Sequence, residues 1–264
     1  MSVAPTPTAP VVTAVAAGVA VLTLNTPPLN LVTLALTRAL HARLAELAAD
    51  PEARVLVVTG SGARAFSAGS DVSEFPTLLD DVVGRKLALE NEAYSRLDDF
   101  PKPTIAALNG LAYGGGLELA VCCDILIAGA DVRLALPEVK LGVLPGSGGT
   151  IRVPRRIGEG RAKELMFTGE PIDATTAHAW GLVNRVVPAG EALTAAVALA
   201  RTLAERPNRA LQLMKQAVDL ALDTTEDDAV ARTLPLSDTV FRTADCQEGI
   251  RAFLAKEPPR FRHQ

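Results

Sequence analysis

The sequence predicts an α/β fold in which the strands pair largely in parallel. The first observation behind this prediction is that strand, loop and helix patterns follow one another repeatedly along most of the chain. The second is that glycine stands where the predicted strands end. The third is that the strand pattern fades beyond residue 191, after which amphipathic helical patterns follow to the C-terminus.

The N-terminal part of the chain predicts a hairpin, a helix and a buried strand. Residues 11–15 and 19–24 are rich in β-forming residues and flank a short turn. Residues 33–49 predict an amphipathic helix, because leucines recur at helical spacing: Leu36, Leu40, Leu44 and Leu47. Residues 54–60 then form an apolar run that ends at a glycine, which predicts a buried strand.

The same order recurs in the middle of the chain, and helices follow it. The predicted elements there are a strand at 104–108, a glycine-rich loop at 109–116, a helix at 117–123 and a strand at 124–128. The later helical segments are residues 193–205, 208–222, 225–238 and 246–254. We therefore expect a flexible N-terminal tail at 1–10, an α/β core at 11–195 and a helical C-terminal segment at 196–264.

Composition and charge narrow the functional classes. With 264 residues, of which 48% are hydrophobic and 21% charged, the chain is long enough for a large core and is typical of a globular protein. A net charge of −4 without a basic run gives no electrostatic reason to bind nucleic acid. The apolar stretch at 11–24 is too short to span a membrane, and the N-terminus is too rich in proline for a targeting presequence. We expect a cytoplasmic protein that binds neither nucleic acid nor a membrane.

The cysteines and histidines predict neither a disulfide nor a metal site. Cys122 and Cys123 are neighbours in an apolar run, and Cys246 leaves the count odd, which indicates reduced thiols. The histidines are far apart in sequence, and none has a second ligand at helical spacing: His41, His178 and His263.

Two glutamates in apolar or glycine-rich surroundings are candidate catalytic residues. Glu118 stands among leucine, alanine and valine just after the glycines at 114–116, where an unpaired buried carboxylate is costly. Glu138 precedes a second glycine-rich segment at 144–149. Each also has a structural interpretation, Glu118 as a salt-bridged interior residue and Glu138 as a favourable residue in the first turn of a helix. Together they favour general acid–base chemistry on a carbonyl compound.

The glycine-rich loops are candidate sites for negative charge. The glycines at 114–116 precede a helix and can present N–H groups to a phosphate or to a developing oxyanion, although tight packing explains them equally well. The loop at 65–71 offers further donors near Ser70. Ser67 and Ser70 are not expected to be nucleophiles, because no elbow motif or histidine triad accompanies them. Asp71 is expected to cap the helix that follows it.

Four stretches resemble sequence blocks of the enoyl-CoA hydratase/isomerase (crotonase) superfamily. They are AFSAGSD at 65–71, NGLAYGGGLELAVCCDILIA at 109–128, LPEVKLGVLPGSGGTIRVPRRIG at 136–158 and TGEPIDATTAHAWGLVNRVVP at 168–188. The resemblance runs from about residue 12 to the C-terminus. It implies a crotonase-like spiral of ββα units with a helical C-terminal trimerisation segment, and a homo-oligomer that is a trimer or a hexamer made of two trimers.

The resemblance also implies roles for single residues. The backbone N–H groups of Ser70 and Gly115 match an oxyanion hole, and Glu118 and Glu138 match the two glutamates of the family's hydratases. The implied reaction adds water across the C2=C3 bond of a 2-enoyl-CoA thioester to give a 3-hydroxyacyl-CoA. Glu118 is then the base toward water, and Glu138 is the proton donor to the α-carbon. CoA is part of the substrate, so neither a cofactor nor a metal is implied.

Substrate positions and alternatives follow from the same resemblance. The positions implied to bind substrate are Ala68, Asp71, Gly146, Phe253 and Lys256, the last two often across a subunit boundary. Thr26 and Ser73 stand where the family often has basic residues, which weakens the expected cationic contacts to CoA. The alternatives are a Δ3,Δ2-enoyl-CoA isomerase, which commonly keeps only the counterpart of Glu138, and a hydratase of a cyclic or branched acyl-CoA. An RNA-binding relative is disfavoured by the negative net charge.

Overall fold

The computed structural model describes residues 9–263, so most of the predicted tail at 1–10 lies outside the described residues. The strands are β1 (Val11–Ala16), β2 (Val19–Leu24), β3 (Val55–Gly60), β4 (Ala65–Ser67), β5 (Thr104–Leu108), β6 (Leu111–Tyr113), β7 (Ile125–Gly129), β8 (Arg133–Ala135), β9 (Ile172–Asp173) and β10 (Arg185–Val187). The helices are α1 (Leu34–Ala49), α2 (Ala88–Asp98), α3 (Gly115–Ala120), α4 (Gly149–Ile157), α5 (Glu159–Thr168), α6 (Ala174–Trp180), α7 (Ala192–Ala204), α8 (Asn208–Asp219), α9 (Glu226–Phe241) and α10 (Ala244–Ala255). Short 3-10 segments span Val72–Thr77, Glu138–Leu141 and Leu220–Leu222, and a π-helical turn spans Val83–Leu87.

The strands form two sheets, and from β3 to β8 the chain alternates between them, one strand in each. The larger sheet has the order β1-β2-β3-β5-β7-β10, and the smaller has the order β4-β6-β8-β9. Only the β1–β2 and β8–β9 pairings are antiparallel within the described chain, and the other pairings are parallel. Because β3, β5 and β7 each continue into a strand of the smaller sheet, the chain advances as a spiral of two-stranded turns. The predicted α/β fold with largely parallel pairing is confirmed.

The central strands β3 and β5 of the larger sheet are buried on both faces, as expected for parallel strands covered by helices. Along β3, Leu56 and Val58 face the main core, which also holds the leucine stripe of α1. Val55 and Val57 face the other side, where the alanines of α7 pack against the sheet: Ala196, Ala200 and Ala204. These alanines lie four residues apart on one helix face, and their small side chains allow close packing. The predicted boundary near residue 195 therefore falls inside a helix that covers the sheet.

Several element boundaries differ from the predicted ones for local reasons. Thr33 caps α1 instead of belonging to it, since its side chain accepts a hydrogen bond from the Leu36 N–H. Helix α3 begins at Gly115 because Gly114, at φ +50°, turns the chain directly into the helix. The predicted loop at 109–116 contains strand β6. This strand pairs with β4 and β8, and no local sequence pattern predicts that pairing.

The C-terminal segment is helical, as predicted, with helices α8 to α10 at the end of the chain. Large apolar side chains on these helices are exposed, among them Leu234, Phe241 and Phe253. The role of this segment in trimerisation stays a prediction. None of the helices within residues 9–263 is long and apolar enough to cross a bilayer.

Candidate active site

A cavity of about 220 Å³ is lined by the segments that follow strands β4, β6 and β8. Its polar lining comes from the loops at 68–70 and 114–118 and from the 137–147 segment. The rest of the wall is apolar and is drawn largely from the segment between Val72 and Leu87 and from the loop around Leu144. A cavity of this kind, apolar with a few convergent polar groups, is the usual form of a small-molecule site.

Glu118 lies on α3, a helix whose residues are all buried, and its side chain borders the cavity. One carboxylate oxygen, Oε1, accepts hydrogen bonds from the backbone N–H groups of Ser147 and Gly149, each at 2.8 Å. A Cβ atom at Gly149 would lie 2.9 Å from this oxygen, so the loop can approach the carboxylate only with glycine there. The carboxylate is therefore held in one orientation by the backbone of the second glycine-rich segment.

The proton affinity of Glu118 is strongly changed by its surroundings. Burial raises the pKa of Glu118 from 4.5 to about 8, and the nearby carboxylates of Glu138 and Glu90 add to the rise. The N–H donors of Gly149 and Ser147 act in the opposite direction, because they favour the charged form. A carboxyl group that titrates near neutral pH in a cavity is suited to proton transfer.

Glu138 is the first residue of a 3-10 segment that follows β8, and its side chain lies on the cavity wall. Both carboxylate oxygens are buried and have no hydrogen-bond partner within residues 9–263. Burial raises the pKa of Glu138 above 4.5. A Cβ atom at Gly114 would lie 3.2 Å from Glu138 Oε1, so this carboxylate rests against the first of the three glycines. Its free oxygens are available to a molecule in the cavity.

Two backbone N–H groups, those of Ser70 and Gly115, also border the cavity. Val32 bridges the residues on either side of Ser70, because its N–H donates to the Gly69 carbonyl and its carbonyl accepts from the Asp71 N–H. The N–H of Ser70 is left free by this pairing, and that of Gly115 is free because it opens a helix. Neither donates a hydrogen bond within the described part of the chain.

The two loops that carry these donors touch each other. Gly69 has φ +91°, and a Cβ atom on it would lie 2.7 Å from the Tyr113 carbonyl oxygen and 3.2 Å from the Gly115 nitrogen. The Tyr94 hydroxyl donates to the Gly115 carbonyl oxygen at 2.8 Å, which fixes the start of α3. Glycine at 69 thus permits the close approach that brings the two free donors to one side of the cavity.

The structure gathers six of the predicted site residues at this cavity and leaves three elsewhere. Those that line it are Ala68, Ser70, Gly115, Glu118, Glu138 and Gly146. Asp71 instead caps the 3-10 segment at Val72–Thr77, accepting from the N–H and the hydroxyl of Ser73, and these bonds lower its pKa. Phe253 and Lys256 lie at the exposed C-terminal end of α10 and do not border the cavity within one chain.

Three further residues at or beside the site were not predicted from the sequence: Lys86, Glu90 and Ser147. Glu90 is fully buried on α2 and lines the cavity beside Glu118. Lys86 pairs with it at 3.1 Å, and the Ser147 hydroxyl donates to it at 2.7 Å. The available signal was a lysine and a glutamate four residues apart, a spacing that usually marks an exposed helix face.

Comparison with known proteins identifies the family of this chain. A family model described as enoyl-CoA hydratase/isomerase matches residues 14–264. The chain is similar to the short-chain-enoyl-CoA hydratase of Clostridium acetobutylicum, at 38% identity over 240 residues that cover 90% of this chain and 92% of the relative. It is also similar to the crotonyl-CoA hydratase of Syntrophomonas wolfei, at 39% identity over 213 residues that cover 80% of this chain and 82% of the relative.

A solved structure gives the same result for the fold. The crystal structure of an enoyl-CoA hydratase from Bacillus anthracis matches with a TM-score of 0.93 at 33% identity, covering 97% of this chain and 100% of that one. The predicted crotonase-like spiral is thereby confirmed. Sequence and fold agree over nearly the whole length, and the chain belongs to the enoyl-CoA hydratase/isomerase family.

Proposed function

We propose that this chain is an enoyl-CoA hydratase that adds water across the C2=C3 bond of a 2-enoyl-CoA thioester and yields a 3-hydroxyacyl-CoA. The observation that carries the proposal is a pair of buried carboxylates, Glu118 and Glu138, on one cavity that also holds two free backbone N–H donors. The names of the relatives in Clostridium acetobutylicum and Syntrophomonas wolfei support the same reaction.

The two carboxylates take opposite roles toward the reacting water. Glu118 accepts a proton from water as its oxygen attacks C3, because a pKa of about 8 lets it hold and release a proton near neutral pH and the Ser147 and Gly149 N–H groups stabilise its ionised form. Glu138 donates a proton to C2, because burial raises its pKa and so favours its neutral form. Water thus supplies the hydroxyl group at C3, and one proton is taken up at C2 while one is released to Glu118.

The free N–H groups of Ser70 and Gly115 act as the oxyanion hole. As the attack proceeds, negative charge develops on the thioester oxygen, and preorganised donors in a cavity shielded from water stabilise it. Losing one such donor typically lowers the rate about 10²–10³-fold. The activated double bond and the two carboxylates suffice for the reaction, so we assign no metal or redox cofactor to it.

The size of the cavity defines which part of the substrate it holds. About 220 Å³ is below the range of pockets that enclose drug-sized ligands, so the cavity takes the acyl group and the thioester but not the CoA nucleotide. Its apolar wall favours an acyl chain without polar groups. Phe253 and Lys256 remain the proposed contacts for CoA, supplied by a neighbouring subunit.

The assembly and the location of the protein belong to the same proposal. Exposed apolar side chains on α9 and α10, such as Leu234 and Phe241, suit contact with further copies of the chain in a trimer or hexamer. The three cysteines are free in the structure, which suits a reducing compartment such as the cytoplasm.

The test is hydration of crotonyl-CoA, followed as loss of the enoyl-thioester absorbance and by identification of the product. Wild type is expected to form 3-hydroxybutyryl-CoA, and Glu118→Gln and Glu138→Gln are each expected to lose activity by orders of magnitude while still binding CoA esters. Glu164→Gln, on an exposed glutamate of α5, is the control and is expected to be fully active. A shifted double bond in place of the hydroxyl product establishes an isomerase, and full activity of Glu118→Gln refutes the two-carboxylate mechanism.

A further inference from the structure

A buried ion pair lies beside the cavity and is not used by the proposed chemistry. Lys86 Nζ is 3.1 Å from Glu90 Oε1, and each side chain is 1% exposed. The same ammonium is 2.8 Å from Oε2 of Glu74, which is at the edge of the site and 26% exposed. The contact to Glu90 is an ion pair and not a directed hydrogen bond, since Oε1 has no hydrogen-bond partner in the described residues.

The stability of the fold alone does not account for this pair. Removing two charges from water costs several kcal/mol per ion, and apolar replacements of similar volume are often as stable or more stable. Lys86 lies in the π-helical turn Val83–Leu87, and turns of this kind are frequent at functional sites. The pair therefore calls for a role beyond packing.

Lys86 is tied to the loop that carries Ser70. Its ammonium donates to the Val32 carbonyl oxygen at 3.2 Å. The same carbonyl accepts from the Asp71 N–H at 3.2 Å, and the Val32 N–H donates to the Gly69 carbonyl at 2.9 Å. These bonds hold the residues on both sides of Ser70, which lines the cavity, and leave its own N–H without an acceptor in residues 9–263.

Glu90 is tied to the loop that holds Glu118. Its Oε2 accepts from the Ser147 hydroxyl at 2.7 Å, and the backbone N–H of Ser147 donates to Glu118 Oε1 at 2.8 Å. Ser147 is 2% exposed, so the water that could replace these bonds has little access. A continuous set of contacts thus runs from Val32, through Lys86 and Glu90, to the carboxylate of Glu118.

We propose that Lys86 and Glu90 are a positioning pair that fixes the Ser70 N–H and the Glu118 carboxylate relative to each other across the cavity. The proposal rests on the proposed hydratase function, because it assigns those two groups to the oxyanion hole and to the base. Both members act through other residues: Lys86 through Val32, and Glu90 through Ser147.

The pair also acts on Glu118 by charge. Charged and titratable groups face Glu118 from each element packed against it: Glu138 from the 3-10 segment, Glu90 and Tyr94 from α2, Cys122 just beyond its own helix, and Arg152 from α4 beside Ser147. Of these, the Glu138 and Glu90 carboxylates raise the pKa of Glu118. Replacing Glu90 by a neutral residue of the same shape removes one of these two charges, and the ionisation of Glu118 then moves to lower pH.

Kinetic measurements test the positioning role. Glu90→Gln and Ser147→Ala are each expected to lower kcat for crotonyl-CoA roughly 10–100-fold with little change in KM, as small displacements of reacting groups do. Neither is expected to lower kcat further when Glu118 is already glutamine, because the loss acts through Glu118. Glu92→Gln is the matched control: it makes the same change two residues along α2, on a side chain that is 62% exposed and pairs with His41.

A direct titration of Glu118 tests the Lys86–Glu90 positioning pair independently of the hydratase activity. The carboxyl infrared bands of Glu118, identified by difference from Glu118→Gln, are followed with pH in wild type, Glu90→Gln and Glu92→Gln without substrate. A shift to lower pH in Glu90→Gln alone supports the pair, and an unchanged titration with unchanged kcat overturns it. If Glu90→Gln does not fold, Ser147→Ala decides: unchanged kcat overturns the proposal, and a loss that disappears in the Glu118→Gln background supports it. If wild type is inert toward crotonyl-CoA, the hydratase function is refuted, and the titration of Glu118 still tests the Lys86–Glu90 positioning pair.

Discussion

Replacing Glu118 by glutamine is expected to stabilise the folded protein at alkaline pH relative to wild type. Glutamine has the shape of glutamate, and a single oxygen, Oε1, accepts both backbone hydrogen bonds from Ser147 and Gly149. The amide oxygen can therefore keep both bonds while the charge is removed. Any change in the pH dependence of stability then comes from the lost ionisation.

The magnitude follows from the pKa of Glu118. Burial raises it from 4.5 to about 8, so the folded protein binds this proton more tightly than the unfolded chain does. The stabilisation is complete below the unfolded value of 4.5 and is lost as the pH rises through the folded value of about 8. At pH 6 the pH is two units below the folded pKa of Glu118, and at pH 9 the group is ionised. At 1.36 kcal/mol per unit, the free energy of unfolding of wild type should therefore fall by about 2.7 kcal/mol more than that of the variant between pH 6 and pH 9.

The assay is urea denaturation at pH 6, 7, 8 and 9, at one protein concentration so that any assembly contributes equally. The free energy of unfolding of Glu118→Gln minus that of wild type should rise with pH, most steeply below pH 8. Glu164→Gln, which neutralises an exposed glutamate, should follow wild type throughout. If the difference between Glu118→Gln and wild type stays constant with pH, Glu118 is not a buried carboxyl with a raised pKa, and the assignment of acid–base chemistry to it loses its physical basis.

Three further results are expected from other parts of the molecule. A Cβ atom at Gly116 would overlap the Ser67 carbonyl oxygen, so Gly116→Ala should displace α3 and lower the rate of crotonyl-CoA hydration roughly 10²-fold. An unimpaired rate would mean that the start of α3 does not position the backbone N–H donors of the oxyanion hole. Leu79 is exposed and lines the cavity, so Leu79→Trp should lower kcat/KM more for long-chain than for short-chain enoyl-CoAs. An equal effect on both would mean that the acyl chain does not pass Leu79. Cys122 is buried and burial raises its pKa, so a thiol reagent should modify only the partly exposed Cys246 in the native protein; labelling of a second thiol would contradict the packing of α3.

The sequence alone located the two catalytic candidates because their surroundings were locally unusual. Glu118 stands in an apolar run and Glu138 beside glycine-rich segments, and a buried charge in such a place needs an explanation. The long elements were also predictable, since α1 and β3 have clear periodicity. The free donors were different: the N–H of Ser70 is free only because Val32, far away in sequence, pairs with its neighbours.

Tertiary packing determined the parts that the sequence did not reveal. Strands β4, β6, β8 and β9 are two or three residues long, and they exist through pairing with one another. Lys86 and Glu90 carry the spacing of an exposed helical ion pair, yet both are buried because the π-helical turn and the loop around Ser147 enclose them. Local patterns predict which face of a helix is polar, but not that the fold will enclose that face.

In the proposed reaction the two carboxylates take opposite roles, and their hydrogen bonds differ more than their burial does. A base must be ionised and an acid must be protonated at the same pH, while burial raises the pKa of both Glu118 and Glu138. Glu118 accepts two hydrogen bonds from the second glycine-rich segment, from the backbone N–H groups of Ser147 and Gly149, and these favour its anion. The carboxylate of Glu138 accepts no hydrogen bond from that segment in the described chain: burial raises its pKa, and the N–H of its own backbone acts in the opposite direction. The glycine at 149 lets the backbone approach Glu118 closely enough to stabilise its anion against the effect of burial, and a carboxyl group whose pKa is thereby held at about 8 can exchange a proton with a reacting molecule near neutral pH.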